Sequence, residues 1–293
     1  MIIGVTGATG FIGRALLRHA HQRGHEVVAF TRHPERPVDG AIETRRFALD
    51  RPPDLKGCEA VVHLAGEPIA GLWTSGRRRR IVESRVQGTR RITEAIDSMA
   101  EKPEVFVSGS AVGFYGDGGE AELTESAPAG RGFLAETTTQ WEREAIPAKA
   151  GRVVLLRTGI VLGRRGGALM AMLPPFRLGL GAILGNGQQW VPWIHLEDHV
   201  RLLLFALEDM NISGPLNATA PWPVRQADFA KTLGRVLHRP VFLHAPAFAL
   251  RLAMRGLAEE LLESKRVLPA AATEHGFGFK FPELEPALRD LVA

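Results

Sequence analysis

Short apolar runs alternate with stretches of helical periodicity over the first two-thirds of the chain. The apolar runs predict strands at residues 2–6, 26–30, 59–64, 105–108 and 153–157. Apolar residues spaced three and four apart predict helices between these strands, most clearly over about residues 77–99 and 133–149. Strands that alternate with helices in this way pair in parallel and are covered on both faces. The pattern predicts an α/β fold with a doubly wound parallel sheet.

The pattern changes after Gly163. Glycine and proline cluster over residues 164–192, which predicts loops with short elements, and a helix at about 194–208 then returns to the earlier periodicity. From Pro215 the chain has the pattern of a smaller, helix-rich unit, with a helix predicted over residues 246–263. We predict a dinucleotide-binding domain over residues 1–163, to which the 194–208 helix returns. Residues 164–193 and 213–293 are predicted to form a substrate-side cap.

A glycine pattern follows the first predicted strand and opens the first predicted helix. Its form is Gly7-Ala8-Thr9-Gly10-Phe11-Ile12-Gly13. Strand, glycine turn and helix in this order are typical of a Rossmann unit, in which the glycines admit the cofactor pyrophosphate and the helix start binds it. The pattern predicts that the cofactor contacts Gly7, Thr9, Gly10, Phe11, Ile12 and Gly13.

The residues at the end of the second predicted strand indicate which dinucleotide binds. An acidic residue there would accept a hydrogen bond from a ribose 2′-hydroxyl and would repel a 2′-phosphate. The chain instead has Thr31 and Arg32, with Arg36 close behind. Arginine matches a phosphate in charge and in geometry. We therefore predict that Thr31, Arg32 and Arg36 contact the cofactor and that the cofactor is NADP(H).

Composition and charge exclude several classes of protein. The chain has 293 residues, 45% of them hydrophobic, and one cysteine, Cys58, so it is a globular protein without an internal disulfide framework. The N-terminus has no charged-then-apolar signal pattern, and a single cysteine fits a reducing compartment, so we expect a cytoplasmic protein. The formal net charge of +4 is too small to indicate nucleic acid by itself.

Four consecutive arginines, Arg77–Arg80, form the one dense basic run. Such runs are usually solvated helix faces, and no apolar stretch reaches the length of a membrane span, so we predict neither a nucleic-acid nor a membrane partner. A weaker alternative is that this run binds nucleic acid or a membrane surface, with strong dependence on salt as its signature.

Further segments resemble the motifs of one family. They are Val61–Gly66, Ser84–Thr89, Ser108–Gly116, Arg157–Gly163 and Trp193–His199. With the glycine pattern they resemble the extended short-chain dehydrogenase/reductases, and Gly214–Pro221 and Gly276–Phe279 resemble its atypical, NAD-dependent epimerase/dehydratase-like "epimerase family" with a C-terminal domain of unknown function. The resemblance covers essentially the whole chain. It implies a Rossmann fold and places Leu64, Ala65 and Gly66 beside the cofactor.

The chain departs from this family at the catalytic positions. Members with known chemistry use a serine together with a Tyr-x-x-x-Lys pair on a helix, in which the lysine lowers the pKa of the tyrosine. The corresponding helix here has Phe133 in place of the tyrosine and Thr137 in place of the lysine. The only tyrosine is Tyr115, and the residue four positions further on is Gly119. The tyrosine–lysine pair is absent from this chain.

Two functions follow as alternatives. In the first, the protein is an NADP-dependent reductase or epimerase acting on a small carbonyl or sugar-nucleotide-like substrate, with a rearranged acid or base. Ser110 resembles the family serine, Tyr115 follows in the same segment, and Glu136 would serve if burial raised its pKa. In the second, the protein binds NADPH without turnover, as a sensor or scaffold. Fold resemblance alone does not decide between them.

The predicted substrate side lies beyond the carboxyl ends of the strands. The segment Gly185–Trp193 combines glycines and amides with two indoles, so Trp190 and Trp193 are candidates for stacking on a substrate; the alternative is a structural hairpin. Arg85 is a candidate for binding a carboxylate or phosphate, with an internal ion pair as the alternative. His195 and Asp198 have no third ligand at metal spacing, so we predict no metal and a helix start at His195. A monomer or a homodimer is expected.

Overall fold

A computed structural model describes residues 1–292, and its central layer is a seven-stranded parallel sheet in the order β12-β7-β5-β4-β1-β2-β3. The strands of the chain are β1 (Ile2–Thr6), β2 (Glu26–Thr31), β3 (Glu43–Arg46), β4 (Ala60–His63), β5 (Val105–Ala111), β6 (Glu122–Leu123), β7 (Arg152–Thr158), β8 (Ile160–Gly163), β9 (Ala182–Leu184), β10 (Trp190–Val191), β11 (Trp193–His195), β12 (Gly214–Ala218), β13 (Val224–Arg225), β14 (Leu243–Ala245) and β15 (Arg266–Val267). The other strands form four two-stranded sheets. The predicted doubly wound sheet is confirmed.

Ten helices surround the sheets in the described part of the chain. They are α1 (Phe11–Gln22), α2 (Ser75–Ser98), α3 (Phe133–Ala145), α4 (Gly167–Arg177), α5 (Leu196–Glu208), α6 (Gln226–Val236), α7 (Ala247–Met254), α8 (Gly256–Leu262), α9 (Ala270–Glu274) and α10 (Leu284–Val292). A short 3-10 helix at Val112–Tyr115 follows β5 directly. None of these helices is both long and apolar enough to cross a membrane.

Alternate residues of the strands face two separate apolar layers. Val5, Val62 and Val107 belong to one layer, together with buried residues of α1 and α5. Val61 and Phe106 belong to the other, together with buried residues of α2 and α3. Each large apolar side chain buried in this way stabilises the fold by about 1.5–3 kcal/mol. Burial on both faces explains why these strands are continuous apolar runs.

A third apolar cluster lies outside the main sheet. It packs α4, α6 and α10 around Trp193, which is fully buried. Phe176, Phe229 and Leu288 are among its buried members. This cluster is the core of the region that the glycine-rich and C-terminal segments build.

The structure corrects three details of the predicted organisation. Strand β12 was assigned to the cap, but it pairs in parallel with β7 at the sheet edge. Strand β3 was not predicted, because its sequence Glu-Thr-Arg-Arg is polar, as an edge strand tolerates. The helix expected over 246–263 is two helices, because Arg255 has a positive φ of 51° that ends α7.

Asp198 ties the C-terminal segment to helix α5. Its fully buried carboxylate accepts hydrogen bonds from the backbone N–H groups of Lys280 (2.8 Å) and Phe281 (2.7 Å) and from Nη1 of Arg201 (2.8 Å). Three donors converge on one carboxylate, so removing it leaves buried backbone groups without partners.

We expect Asp198→Ala to lower the free energy of unfolding by about 2–4 kcal/mol, because buried donors lose a charged acceptor. Urea unfolding followed by circular dichroism measures the change. Asp198→Asn is the matched control, because it keeps an acceptor oxygen and the shape of the side chain and should lose less. A loss for Asp198→Ala no larger than that of a typical surface substitution would contradict this role.

Candidate cofactor and catalytic site

A cavity of about 1050 Å³ lies at the carboxyl ends of β1, β2 and β4. The glycine loop forms one wall, and its glycines are required by contact distances. A Cβ atom on Gly13 would lie 2.2 Å from the carbonyl oxygen of Gly7, and one on Gly7, where φ is +71°, would lie 2.8 Å from the carbonyl carbon of Leu64. Helix α1 starts at Gly10 without a side-chain cap, so its first N–H groups are available to an anion.

Nine of the twelve predicted cofactor residues line this cavity. They are Gly7, Thr9, Gly10, Thr31, Arg32, Arg36, Leu64, Ala65 and Gly66. Phe11, Ile12 and Gly13 are not among its lining residues. The ring of Phe11 packs on the backbone at Gly163 and Gly166, where an added Cβ would lie 2.3–2.4 Å from ring carbons. Direct contact between these twelve residues and a cofactor stays a prediction.

Five basic side chains line the cavity, where the sequence predicted two. Arg14, Arg18 and His33 join Arg32 and Arg36. Arg14 is held by a 2.9 Å hydrogen bond from Nε to the carbonyl oxygen of Thr9. Arg14 and Arg18 are one turn apart on α1, and this i, i+4 spacing on the helix that follows the glycine loop was the signal that sequence reasoning missed. The cavity also has two acidic lining residues, Asp39 and Glu67, so positive charge is in excess.

Arg85 faces the same region from helix α2. Its guanidinium lies 3.5 Å from the position of a Cβ on Gly66 and 5.2 Å from the centroid of the Trp141 ring. Nη1 donates to the carbonyl oxygens of Glu67 (3.0 Å) and Ile81 (3.3 Å). Burial lowers the pKa of Arg85 to about 10, and Glu67 opposes this shift. No carboxylate within residues 1–292 pairs with it, so the predicted alternative of an internal ion pair is wrong.

Ser110 and Tyr115 lie in a buried polar cluster. The Ser110 hydroxyl donates to Oε1 of Glu142 (2.5 Å), and Glu142 forms a buried ion pair with Arg157 (2.8 Å). The Tyr115 hydroxyl donates to Oδ1 of Asn217 (2.7 Å) and accepts from Nη1 of Arg157 (3.0 Å). Burial raises the pKa of Tyr115, against the opposing effect of Arg157.

This cluster gives Ser110 and Tyr115 contacts inside the protein, and their predicted catalytic roles stay predictions. Ser110 and Tyr115 are 4% and 3% exposed, and neither lines the cavity. Tyr115 was expected to present its hydroxyl from a loop, but the hydroxyl is bonded on both sides inside the protein. A general acid must reach the substrate within hydrogen-bond distance. In the structure, both hydroxyls form hydrogen bonds with buried polar side chains.

The start of helix α3 provides no substitute. Glu136 is exposed, so the burial on which its candidate role depends is absent. The ring of Phe133 packs edge-on against Trp73 at 5.1 Å, and the Thr137 hydroxyl donates to the carbonyl oxygen of Phe133 at 2.6 Å. The helix positions that carry the proton relay in known members of the resembled family therefore present an aromatic ring and an internally bonded hydroxyl.

The two indoles of Gly185–Trp193 have structural contacts. Trp193 is fully buried in the third apolar cluster, so its predicted stacking on a substrate is wrong. The Trp190 ring stacks at 4.0 Å under Arg225, and its Nε1 donates to Glu120 at 3.2 Å. Trp190 pairs in β10 with β13 and not in a local hairpin. Its predicted role towards a substrate stays a prediction, although its polar and ring contacts are within the protein.

A second, open cavity of about 460 Å³ borders the same segment. Its lining residues are Gly185, Asn186, Gln189, Pro246, Ala247, Arg251 and Leu262.

The predicted helix start at His195 is confirmed, since its Nδ1 accepts a hydrogen bond from the N–H of Glu197 at 3.1 Å. Over residues 1–292, no three metal-binding side chains are grouped to hold a metal ion.

Comparison with known proteins identifies the family. Residues 3–217 match the model of the NAD dependent epimerase/dehydratase family. The chain belongs to this family. Residues 245–291 match a domain of unknown function, in agreement with the expected C-terminal sub-branch.

Relatives of this epimerase/dehydratase-family chain match it over its whole length. The "Epimerase family protein SDR39U1 homolog, chloroplastic" of Arabidopsis thaliana is 40% identical and covers 100% of this chain and 87% of its own. The crystal structure of human epimerase family protein SDR39U1 (isoform 2) with NADPH is 36% identical, with a TM-score of 0.90 and 99% coverage of both chains. The nucleoside-diphosphate sugar epimerase of Corynebacterium glutamicum is 34% identical, with a TM-score of 0.79, and covers 99% of this chain and 58% of its own.

Two buried histidines of this epimerase-family chain lie at the carboxyl edge of the sheet. His63 ends β4, and its Nδ1 is 2.6 Å from the Thr6 hydroxyl. Burial, with a smaller contribution from Arg85, lowers its pKa to about 3. His199 in α5 is 3.0 Å from the Thr158 hydroxyl, and burial lowers its pKa to about 4. Both rings are neutral at pH 7.

We expect the free energy of unfolding to fall as the pH drops below about 6.5. The unfolded chain binds protons at both histidines near pH 6.5, whereas the folded chain does not until about pH 4 and 3, so acid favours unfolding. Each histidine contributes about 1.4 kcal/mol per pH unit in this window. Denaturant unfolding at pH 7, 6 and 5 measures the slope.

His199→Gln should reduce that slope by about one proton. His21→Gln is the control, because His21 is exposed and its surroundings change little on unfolding. A slope that His199→Gln leaves unchanged would show that the ring is already charged in the folded protein.

Proposed function

We propose that this chain is an NADP(H)-binding protein of the epimerase/dehydratase family. The observation that carries the proposal is the group of five basic side chains, Arg14, Arg18, Arg32, His33 and Arg36, around one cavity beyond the ends of β1 and β2. Guanidinium groups bind phosphates through paired, charge-assisted hydrogen bonds. The 2′-phosphate of NADP(H) is the feature that NAD(H) lacks, and this edge of the sheet is where the adenosine ribose binds in doubly wound folds.

The glycine loop supports the same proposal from the other side of the cavity. The uncapped start of α1 offers N–H groups to the pyrophosphate. Gly7 and Gly13 have no Cβ atoms, so the glycine loop and α1 can pack closely at this end of the cavity. The human relative that matches 99% of this chain was crystallised with NADPH. We extend that ligand to this chain because both ends of the cavity fit its phosphates.

We expect Arg32→Ala to raise the NADPH dissociation constant by roughly tenfold or more, because a hydrogen bond between charged groups contributes about 1.5–3 kcal/mol. The dissociation constant for NADH should change by less than about twofold. Calorimetric titration with NADPH, NADP⁺, NADH and NAD⁺ measures both. Arg143→Ala is the matched control, because Arg143 is exposed near the C-terminal end of α3 and does not line the cavity. Equal losses of affinity for NADPH and NADH would show that Arg32 does not bind the 2′-phosphate.

In this proposal Ser110 and Tyr115 do not transfer protons to a substrate. Both hydroxyls satisfy the buried Glu142–Arg157 pair and Asn217. A cofactor site without the tyrosine–lysine relay supports binding of NADP(H) as the first function, in a sensor or scaffold. The role of residues 1–163 as the cofactor domain, and of the later segments as the substrate side, is part of this proposal.

A second function is favoured by Arg85. Its guanidinium donates to two carbonyl oxygens but has no carboxylate partner, so an anion would add a charge-assisted hydrogen bond. Arg85 lies beside Gly66, which lines the cofactor cavity, so we infer that the anion is a phosphate of the cofactor or an anionic group of a second ligand. Several solved structures with the same fold contain nucleotide sugars, such as the glucuronic acid 4-epimerase of Bacillus cereus. A reductase or epimerase acting on a small carbonyl or sugar-nucleotide substrate is therefore the second candidate.

NADPH would supply a hydride to a carbonyl in the reductase, whereas NADP⁺ would take up a hydride and return it in the epimerase. In either case Arg85 would hold an anionic group in place. We expect Arg85→Met to reduce turnover or ligand affinity by roughly tenfold, because a charged hydrogen bond is lost. Tyr115→Phe should leave turnover per folded molecule within about twofold. NADPH oxidation with a panel of carbonyl compounds measures reductase turnover, and product analysis with sugar nucleotides measures epimerase turnover. If the Tyr115→Phe variant loses turnover but still binds NADPH, Tyr115 has a catalytic role.

A further inference from the structure

The junction between α7 and α8 lies against the start of α2, and these two segments form one surface. We call it the α2–α7 surface and define it by Leu72, Arg78, Arg79, Phe248, Leu252 and Arg255. The two segments meet at Gly256, where an added Cβ would lie 3.1 Å from the Trp73 ring and 2.6 Å from Nη2 of Arg78. The loop before α2 is held firmly, since Arg77 donates to the carbonyl oxygen of Pro68 and Trp73 donates to that of Ile69.

Apolar side chains on this surface are unusually exposed. None of the eight residues of α7 is buried, although its sequence is Ala-Phe-Ala-Leu-Arg-Leu-Ala-Met. Phe248 and Leu252 are 73% and 83% exposed, and they lie one turn apart on the same side of the helix. Leu72 is 55% exposed on the neighbouring loop. Short helices in water depend on packing of an apolar face, so this face lacks a partner.

The charges on the same surface are positive. Arg79 and Arg255 form no ion pair within residues 1–292, and the guanidinium of Arg78 is placed only over the Trp73 and Phe133 rings. Glu67 and Glu259 are already paired, with Arg80 (3.6 Å) and with Arg251 (2.9 Å). Glu83 lies one turn after Arg79 on α2 but is not within ion-pair distance of it. In the described residues, Arg78, Arg79 and Arg255 therefore have no ion-pair partner, and positive charge exceeds negative charge on this surface.

We propose that the α2–α7 surface docks on an anionic lipid surface. Exposed aromatic and aliphatic side chains beside arginines are the pattern of a helix that lies in a membrane interface, where apolar groups insert and cations meet anionic headgroups. Phe248 and Leu252 line neither described cavity, so they are not the wall of a small-molecule site. A nucleic acid would use the arginines but leave Phe248, Leu252 and Leu72 in water, so it fits this surface less well.

Sedimentation with vesicles tests the proposal on the full chain. We expect binding to vesicles of phosphatidylcholine mixed with phosphatidylserine, little binding to phosphatidylcholine alone, and weaker binding as salt is raised. Arg79→Glu should weaken binding by roughly fivefold or more. Phe248→Ser combined with Leu252→Ser should weaken it by roughly tenfold. NADPH binding and thermal unfolding show that each variant is folded.

Matched controls lie outside the α2–α7 surface. Met210 is 82% exposed after α5, and Arg143 is exposed near the end of α3, so Met210→Ser and Arg143→Glu change similar side chains away from the surface. Both controls should bind vesicles as the unchanged protein does. Equal binding to neutral and anionic vesicles, or equal losses in the controls, would overturn the proposal. Self-association that Phe248→Ser abolishes, without vesicle binding, would assign the surface to a second copy of the chain and also overturn it.

Discussion

The buried ion pair between Glu142 and Arg157 is the interaction on which the carboxyl edge of the sheet depends. It joins α3 to β7, and its two partners also bind Ser110 of β5 and Tyr115 of the 3-10 helix. Tyr115 continues the contact to Asn217 of β12, which bonds to the carbonyl oxygen of Leu268 in the C-terminal region. Removing one member would leave a buried charge uncompensated, at a cost of about 3–5 kcal/mol. Six segments from different parts of the fold thus share one polar centre.

This centre also determines which chemistry remains available. Hydroxyl groups that satisfy a buried ion pair are fixed in position and shielded from a substrate, and the burial of Tyr115 raises its pKa further from neutrality. Phe133 and Thr137 add no proton donor at the start of α3. The cofactor cavity, by contrast, keeps its glycines, its uncapped helix start and an excess of positive charge. The structure therefore has the features that bind a dinucleotide, and the Ser110 and Tyr115 hydroxyls are bonded within the protein.

The sequence predicted those features that depend on local geometry. Gly7 and Gly13 could be recognised because the close approach of α1 to β1 excludes any side chain, and Arg32 could be recognised by its place after a strand. The sequence could not show where the Tyr115 hydroxyl points, because its partner Asn217 is 102 positions away. Trp193 failed as a substrate residue for the same reason, since its burial depends on α6 and α10. Strand β12 was misplaced because its first residues, Gly214 and Pro215, have the composition of a loop.

Arginine residues that look alike in the sequence have different contacts and roles in the fold. Arg14 and Arg18 are ordinary members of an amphipathic helix in sequence, yet α1 points them into a cavity that other cations share, where a multiply charged phosphate ligand offsets their repulsion. The run Arg77–Arg80 is the more conspicuous signal, but its members diverge. Arg77 holds a loop, Arg80 faces Glu67, and Arg78 and Arg79 stand beside the exposed apolar helix α7. Basic side chains that line a cavity favour binding of a small polyanion. Cations beside the exposed Phe248 and Leu252 favour an extended anionic lipid surface, because such a surface accepts charged and apolar groups together.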